Sequence, residues 1–374
     1  MHIVAFGTYQ SDTHPRIGVL IEGLRTFGHE VTELNAPLGL STAQRVSMLK
    51  GPWRVPVLAA KLVRRWWALG RRAGALRRGR RVDAVLVGYL GHFDVHLARR
   101  VFKGSTVVLD HLIFAAGTAV DRGVRTGVTT RVLGQLDARA LSAADVIVVD
   151  TDEHRARVPE RFAARAVVCL VGADAGWFRA AERATPDPAP GEPVRVVFFG
   201  LYTPLQGAET IGGALRALAA GGTTGAELAV TMIGTGQDLD ATRRAAGPGS
   251  DPLVTWLDWV DSAELPAVVA GHHVALGIFG TTTKAAEVVP NKVYQSAAAG
   301  CAVITSDTLP QRRVLAGAAT LVRAGDADAL ADALRELIDN RELLAARRRA
   351  CADLAQAEFS AVGVVRPLAD RLSP

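Results

Sequence analysis

Cysteine is scarce in this chain. Three residues in 374, at Cys169, Cys301 and Cys351, have neither the spacing of a metal site nor the density of a disulfide scaffold. Cys169 and Cys301 stand in apolar runs and are expected as small buried hydrophobes in a reducing compartment. No stretch reaches about 18 uninterrupted apolar residues, so the sequence offers no membrane-spanning helix. The opening MHIVAFGTYQSD lacks the charged and apolar regions of a signal peptide, which points to a cytoplasmic chain. GxGxxG is missing from the first loop, against a classical dinucleotide-binding fold. Acid is also absent, with neither Asp nor Glu between Glu33 and Asp83.

What fills that acid-free stretch is positive charge. Twelve Lys or Arg residues lie between Arg45 and Arg81, interleaved with Trp53, Trp66 and Trp67. Three readings stand: peripheral contact of 45–81 with an anionic membrane, contact with a polyanionic acceptor, or a surface helix covering apolar area with long side chains. No recognised nucleic-acid motif accompanies the charge.

Hydrophobic residues make up 49% of the sequence, enough for two cored domains. The chain alternates strands and helices throughout. His2–Phe6, a helix over 16–27 and a strand from Glu30 open a doubly wound unit. His14 and Arg16 fall in and just after its first loop, as candidate acceptor or phosphate contacts. Asp110 and His111 follow another apolar strand, at the sheet edge where open α/β folds place their sites. AAERATPDPAPGEP, ending at Pro193, reads as a domain boundary, and the alternation restarts at Val194.

One stretch in the second half reads as a phosphate cradle: EVVPNKVYQSAAAGCAVITSD, Glu287 to Asp307. Pro290 suits the first turn of a short helix beginning near Asn291. A helix N-terminus presents unpaired N–H groups and a positive dipole end, which suits an anion. Lys284 and Lys292 flank it with charge. Glu287 and Gln295 place polar side chains for a sugar and a ribose.

Taken in order, these pieces resemble the retaining family 4 of GT-B glycosyltransferases, the glycosyl transferases group 1. VGADAGWF, 171–178, resembles its N-G-V-D-x-x-x-F turn, and Glu287 with Gln295 has the spacing of its E-x7-E motif. MIGTGQD and the following WLDWVDSAELPAVVAGHHVALGIFG resemble its later strand succession. The family's G-R-x-x-x-x-K-G loop is here GLYTPLQG, with Gly200 and Gly207 kept and Leu201 and Gln206 replacing both cations. This P-L-Q-G form resembles a subgroup carrying lysines further on, so Lys284 and Lys292 are expected to meet the diphosphate instead. Trp259 stands where the family has Gly near the nucleobase, to stack on the base or to pack in the core.

The resemblance implies an α/β, GT-B architecture of two Rossmann-like parallel-sheet domains facing a cleft. The acceptor domain would span 1–175, a linker 176–193 and the nucleotide-sugar domain 194–355, with a C-terminal helix over 356–372 packing back on the first. It implies transfer of a hexosyl unit from a nucleoside-diphosphate sugar to a hydroxyl acceptor, a natural product or an envelope glycan. His111 and Glu287 would be catalytic, and Gly200, Gln206, Gly207, Trp259, Lys284, Pro290, Asn291, Lys292 and Gln295 would bind the donor. It implies no metal and no cofactor. Alternatives are a nucleotide-sugar 2-epimerase, for which His272 and His273 look poorly placed, and a catalytically silent nucleotide-binding scaffold.

Overall fold

A computed structural model describes residues 1–9, 15–39, 55–88, 91–112, 114–115 and 127–373. His14 and the basic residues at 45, 50 and 54 lie outside them.

The described residues divide into two compact units, 1–170 with the segment from Val364, and Val171–Gly363. Each is built on a six-stranded sheet in which every pairing is parallel. In the first unit β1 (His2–Gly7), β2 (Glu30–Asn35), β3 (Ala84–Val87), β4 (Thr106–Asp110), β5 (Val146–Val149) and β6 (Ala166–Val168) run in the order β2-β1-β3-β4-β5-β6. In the second, β7 (Val194–Phe199), β8 (Leu228–Ile233), β9 (Val254–Leu257), β10 (Val274–Leu276), β11 (Ala302–Ser306) and β12 (Thr320–Val322) run β12-β11-β10-β7-β8-β9. Sheets covered by helices on both faces need strands that are apolar throughout. Accordingly β1, β3, β5 and β11 are buried at every position, whereas edge strand β9 alternates.

Both sheets reverse their winding direction beside the first strand, between β1 and β3 and between β7 and β10. Such switch points open a crevice at the carboxyl ends of the strands. The first core is centred on Phe6, Leu69, Val87, Phe102, Leu109 and Ile147, with Phe6 and Phe102 packed edge to face at 5.4 Å. The second holds Phe198, Tyr202, Ile211, Leu215, Met232 and Phe279.

The stretch 176–193 is tied into the second unit and does not run as a bare linker. Asp174 caps the helix Ala175–Ala181, accepting from Gly176 N at 2.8 Å, and Trp177 is buried against Phe199. Arg348 then pins the Pro-rich part, donating to Asp187 at 2.5 Å and to Thr185 O at 2.6 Å. In the first unit, Arg371 of the terminal helix Ala361–Leu372 donates to Ala164 O at 2.9 Å. All three cysteines are free and buried, and burial pushes Cys169 and Cys301 up to about 12.

Candidate active site

In the second unit the loops after β7, β8 and β10 meet backbone to backbone. A Cβ on Gly234 would lie 1.9 Å from Gly200 O, and one on Gly207 would lie 2.3 Å from Gly280 N. Gly207 also sits at φ 60°, so a side chain there would be strained twice over. Gly200 N donates to Ile233 O at 3.0 Å, and Phe279 N donates to Gln206 O at 2.8 Å. Glycines thus let three strand ends close into one floor.

Lys292 rises into that floor from the second position of the helix Asn291–Ala298. Its side chain is 5% exposed, and its Nζ lies 3.7 Å from the Phe198 ring centroid and 3.2 Å from where a Gly200 Cβ would be. The ammonium has no hydrogen-bond partner. Burial lowers its pKa well below the usual lysine value. The same helix begins at Pro290, with no side-chain cap; Val293 N donates to Pro290 O at 3.0 Å, and the N–H groups of Asn291 and Lys292 come too early in the helix for an intrahelical partner. Gln206 Oε1 is a second buried atom without a partner. A pocket floor with an unpaired lysine amino group and unpaired backbone donors suits an anion.

The first unit gathers titratable groups at the carboxyl ends of β4 and β5. His111 follows β4 directly, and its N donates to Val148 O at 2.8 Å. Its ring lies 4.9 Å from that of His92 and 4.7 Å from that of Phe114. Burial, then the neighbouring His92, lowers the His111 pKa to about 3, against the pull of Asp137; the ring is neutral at pH 7. His92 Nε2 is 2.9 Å from Asp137 Oδ1, which also accepts Ala115 N at 3.0 Å. His154 Nδ1 pairs with Asp150 at 2.5 Å. His92, His111 and Asp137 offer three ligand atoms within 4.8 Å of one another, a geometry that can also hold a cation.

Residues 193–340 match the family model for glycosyl transferases group 1. Solved structures carry the comparison to the rest of the chain. A glycosyltransferase from Rickettsia africae aligns with TM-score 0.65 and 11% identity, covering 99% of this chain and 97% of its own. Anabaena Alr3699/HepE, solved with UDP, aligns with TM-score 0.64 and 10% identity, covering 99% and 98%. A structure described as trehalose-6-phosphate from E. coli bound with UDP-2-fluoro glucose aligns with TM-score 0.66 and 13% identity, covering 100% and 99%. No curated protein matches the sequence. The chain is a glycosyltransferase with the GT-B fold.

Within this glycosyltransferase the expected donor residues Gly200, Gln206, Gly207, Pro290, Asn291, Lys292 and Gln295 lie in or beside the glycine floor and its helix. Lys284 and Glu287 occupy the preceding turn, half-buried, with Glu287 N donating to Lys284 O at 3.2 Å. Trp259 is no core residue: it is 74% exposed. It follows edge strand β9, beyond which no further strand pairs among the described residues. Arg16 is not offered to an acceptor. Its side chain is 3% exposed and all three guanidinium nitrogens are used: Nε to Asp110 at 2.9 Å, Nη1 to Leu170 O at 2.6 Å and Nη2 to Cys169 O at 3.0 Å. It ties the first helix to the ends of β4 and β6.

Sequence reasoning did not single out His92, Asp137, Asp150 or His154 for this cluster. Their signal was weak, since each comes from a different loop or helix and only the sheet's edge collects them. His272 and His273 are structural, as their junction suggested. His272 bridges Val268 O and Thr231 Oγ1, while His273 Nδ1 accepts Arg195 N at 2.9 Å and its Nε2 donates to Pro186 O at 3.1 Å.

Proposed function

We propose that this glycosyltransferase moves a hexosyl unit from a nucleoside-diphosphate sugar to a hydroxyl acceptor, with retention at the anomeric carbon. The observation that carries the reading is Lys292, a buried ammonium with no partner above a glycine floor and beside an uncapped helix start. A diphosphate would supply the missing acceptors. Lys292 and Lys284 would stand in for the two cations that the family's loop loses at Leu201 and Gln206. Structures of the same fold solved with UDP, UDP-glucose and UDP-2-fluoro glucose support a uridine nucleotide as the first donor to test.

Lys292 and the N–H groups at Asn291 stabilise the leaving diphosphate electrostatically. Lys284 adds charge from the preceding turn, Glu287 takes the sugar hydroxyls, and Gln295 accepts from the ribose. Trp259 lies open for stacking on the base. His111 keeps the catalytic assignment that the resemblance implies, as a neutral imidazole able to donate or accept a hydrogen bond. No metal or organic cofactor enters this reading, and the reducing surroundings suggested by three free, buried cysteines fit a cytoplasmic enzyme.

The test is incubation of the purified chain with a panel of nucleoside-diphosphate hexoses and hydroxylated acceptors, followed by chromatography and NMR of the sugar. Glycoside formation, or slow release of nucleoside diphosphate and free sugar, with retained anomeric configuration, supports the proposal. An epimer at C2 makes the chain an epimerase. Binding without turnover makes it a silent nucleotide-binding partner, the reading favoured by Leu201 standing exposed where the family has arginine.

A further inference from the structure

The helix Val55–Gly79 is unlike the others. It has 25 residues and no acid, and seven of its side chains are Lys or Arg. Its inner face is held firmly. Trp66 is half-buried and donates Nε1 to Asp94 at 2.7 Å, while Leu69 and Ala73 are fully buried in the first unit's core. Two of the cations belong to that docking: Arg72 donates to Asn35 O at 3.1 Å and Arg77 to Val101 O.

The outer face differs in kind. Val57, Lys61, Arg64, Trp67, Arg71 and Arg78 follow one another by steps of three, four or seven and so form a single stripe. All six are exposed, and Trp67 is 64% exposed, with Val63 beside it at 61%. Among the described residues, Lys61, Arg64 and Arg78 have no ion pair or hydrogen bond. Arg71 lies 4.7 Å over the Trp67 ring. The stripe from Val57 to Arg78 is about 32 Å long at 1.5 Å per residue.

We propose that this stripe docks the chain on an anionic lipid bilayer, with the helix lying in the plane of the interface. Charge complementarity alone would suit any polyanion. The apolar component decides between them, because a soluble polyanion gives an exposed Trp and two exposed Val nothing to bury in. A bilayer takes both, the indole and the valines at headgroup depth and the guanidinium groups on phosphates. No helix among the described residues is long and apolar enough to cross a membrane. The structure also separates two adjacent tryptophans that the sequence cannot tell apart: Trp66 is an internal anchor and Trp67 the interfacial one. This inference rests on the helix alone and is independent of the donor chemistry.

The experiment is sedimentation of the full chain with phosphatidylcholine vesicles and with vesicles that also contain phosphatidylglycerol. Binding is expected only to the second, weakening with salt as the Debye length shrinks below about 10 Å. Arg64→Gln with Arg71→Gln should lower partitioning about 25-fold, at about fivefold per cation. Trp67→Ser should lower it about tenfold and abolish quenching of Trp emission by brominated lipid. Trp66→Phe, provided circular dichroism shows it folded, should keep that quenching. No sedimentation at low salt overturns the proposal. So does vesicle binding that Trp67→Ser leaves unchanged, or retention on soluble polyphosphate in the absence of vesicle binding.

Discussion

Replacing Lys292 by Met should push stability and donor binding in opposite directions. In the free protein the Lys292 amino group is buried without an acceptor, over the face of Phe198. A buried donor left unsatisfied costs about 1–3 kcal/mol, and methionine of similar length and volume has none to satisfy. The variant should therefore be more stable by that amount, raising Tm by about 2–4 °C per kcal/mol for a domain of this size. Donor binding should suffer instead. A charge-assisted hydrogen bond to diphosphate is worth about 1.5–3 kcal/mol, so Kd should rise roughly 10- to 150-fold.

The protonation state adds a second readout. Because burial depresses the Lys292 pKa, the folded protein binds fewer protons here than the unfolded chain, whose lysine titrates near 10.4. Stability should rise with pH through that window, by the linkage sign. Diphosphate binding favours the charged form and should take up a proton, so affinity should fall as pH rises across the same window. Calorimetry in buffers of different ionisation enthalpy measures that uptake directly, and Lys292→Met should abolish the Lys292 contribution. A Met variant that is less stable and binds nucleoside diphosphate as tightly as wild type would refute the reasoning, and Lys292 would then be a structural residue.

Other changes test the remaining assignments. Arg16→Ala should cost about 3–5 kcal/mol in denaturant unfolding, because it leaves the Asp110 carboxylate buried and unpaired. Arg16→Lys should rescue little, since one ammonium cannot reach three separated acceptors. His111 is held neutral, with its pKa lowered to about 3, so the unfolded chain takes up the extra proton below about pH 6.5. Stability should fall on acidification from pH 6.5 towards 4 by as much as about 1.4 kcal/mol per pH unit from this group. Urea titrations of His111→Gln should show a shallower fall; an equal slope would exclude the buried neutral histidine as its source. Trp259→Ala should leave Tm within a degree or so while weakening nucleotide binding by about 1–3 kcal/mol if the indole stacks on the base; unchanged affinity would remove it from the site. Gln295→Ala should lose the preference for ribo- over deoxyribo-nucleotide donors that Gln295→Glu retains.

Local pattern carried a large part of this molecule. Apolar runs such as HIVAF and VVFF can only be strands in a sheet covered on both faces, and their alternation with helical periods left little choice besides parallel, doubly wound units. The helix Asn291–Ala298 was legible for the same reason: the proline before it and the glycine after it are its neighbours in the chain, so its bounds are local. β12, three residues long, carries too little pattern to be seen. Arg16 was misplaced, and the core alternative for Trp259 failed, because burial is a property of layers. Nothing in the sequence near Arg16 says that Asp110, Cys169 O and Leu170 O converge on it, and nothing near Trp259 says that its strand is the last in the sheet. Lys292 shows the division most sharply. Its position at a helix start came from sequence, but its burial without a partner arises only where three glycine loops from distant strands meet beside it.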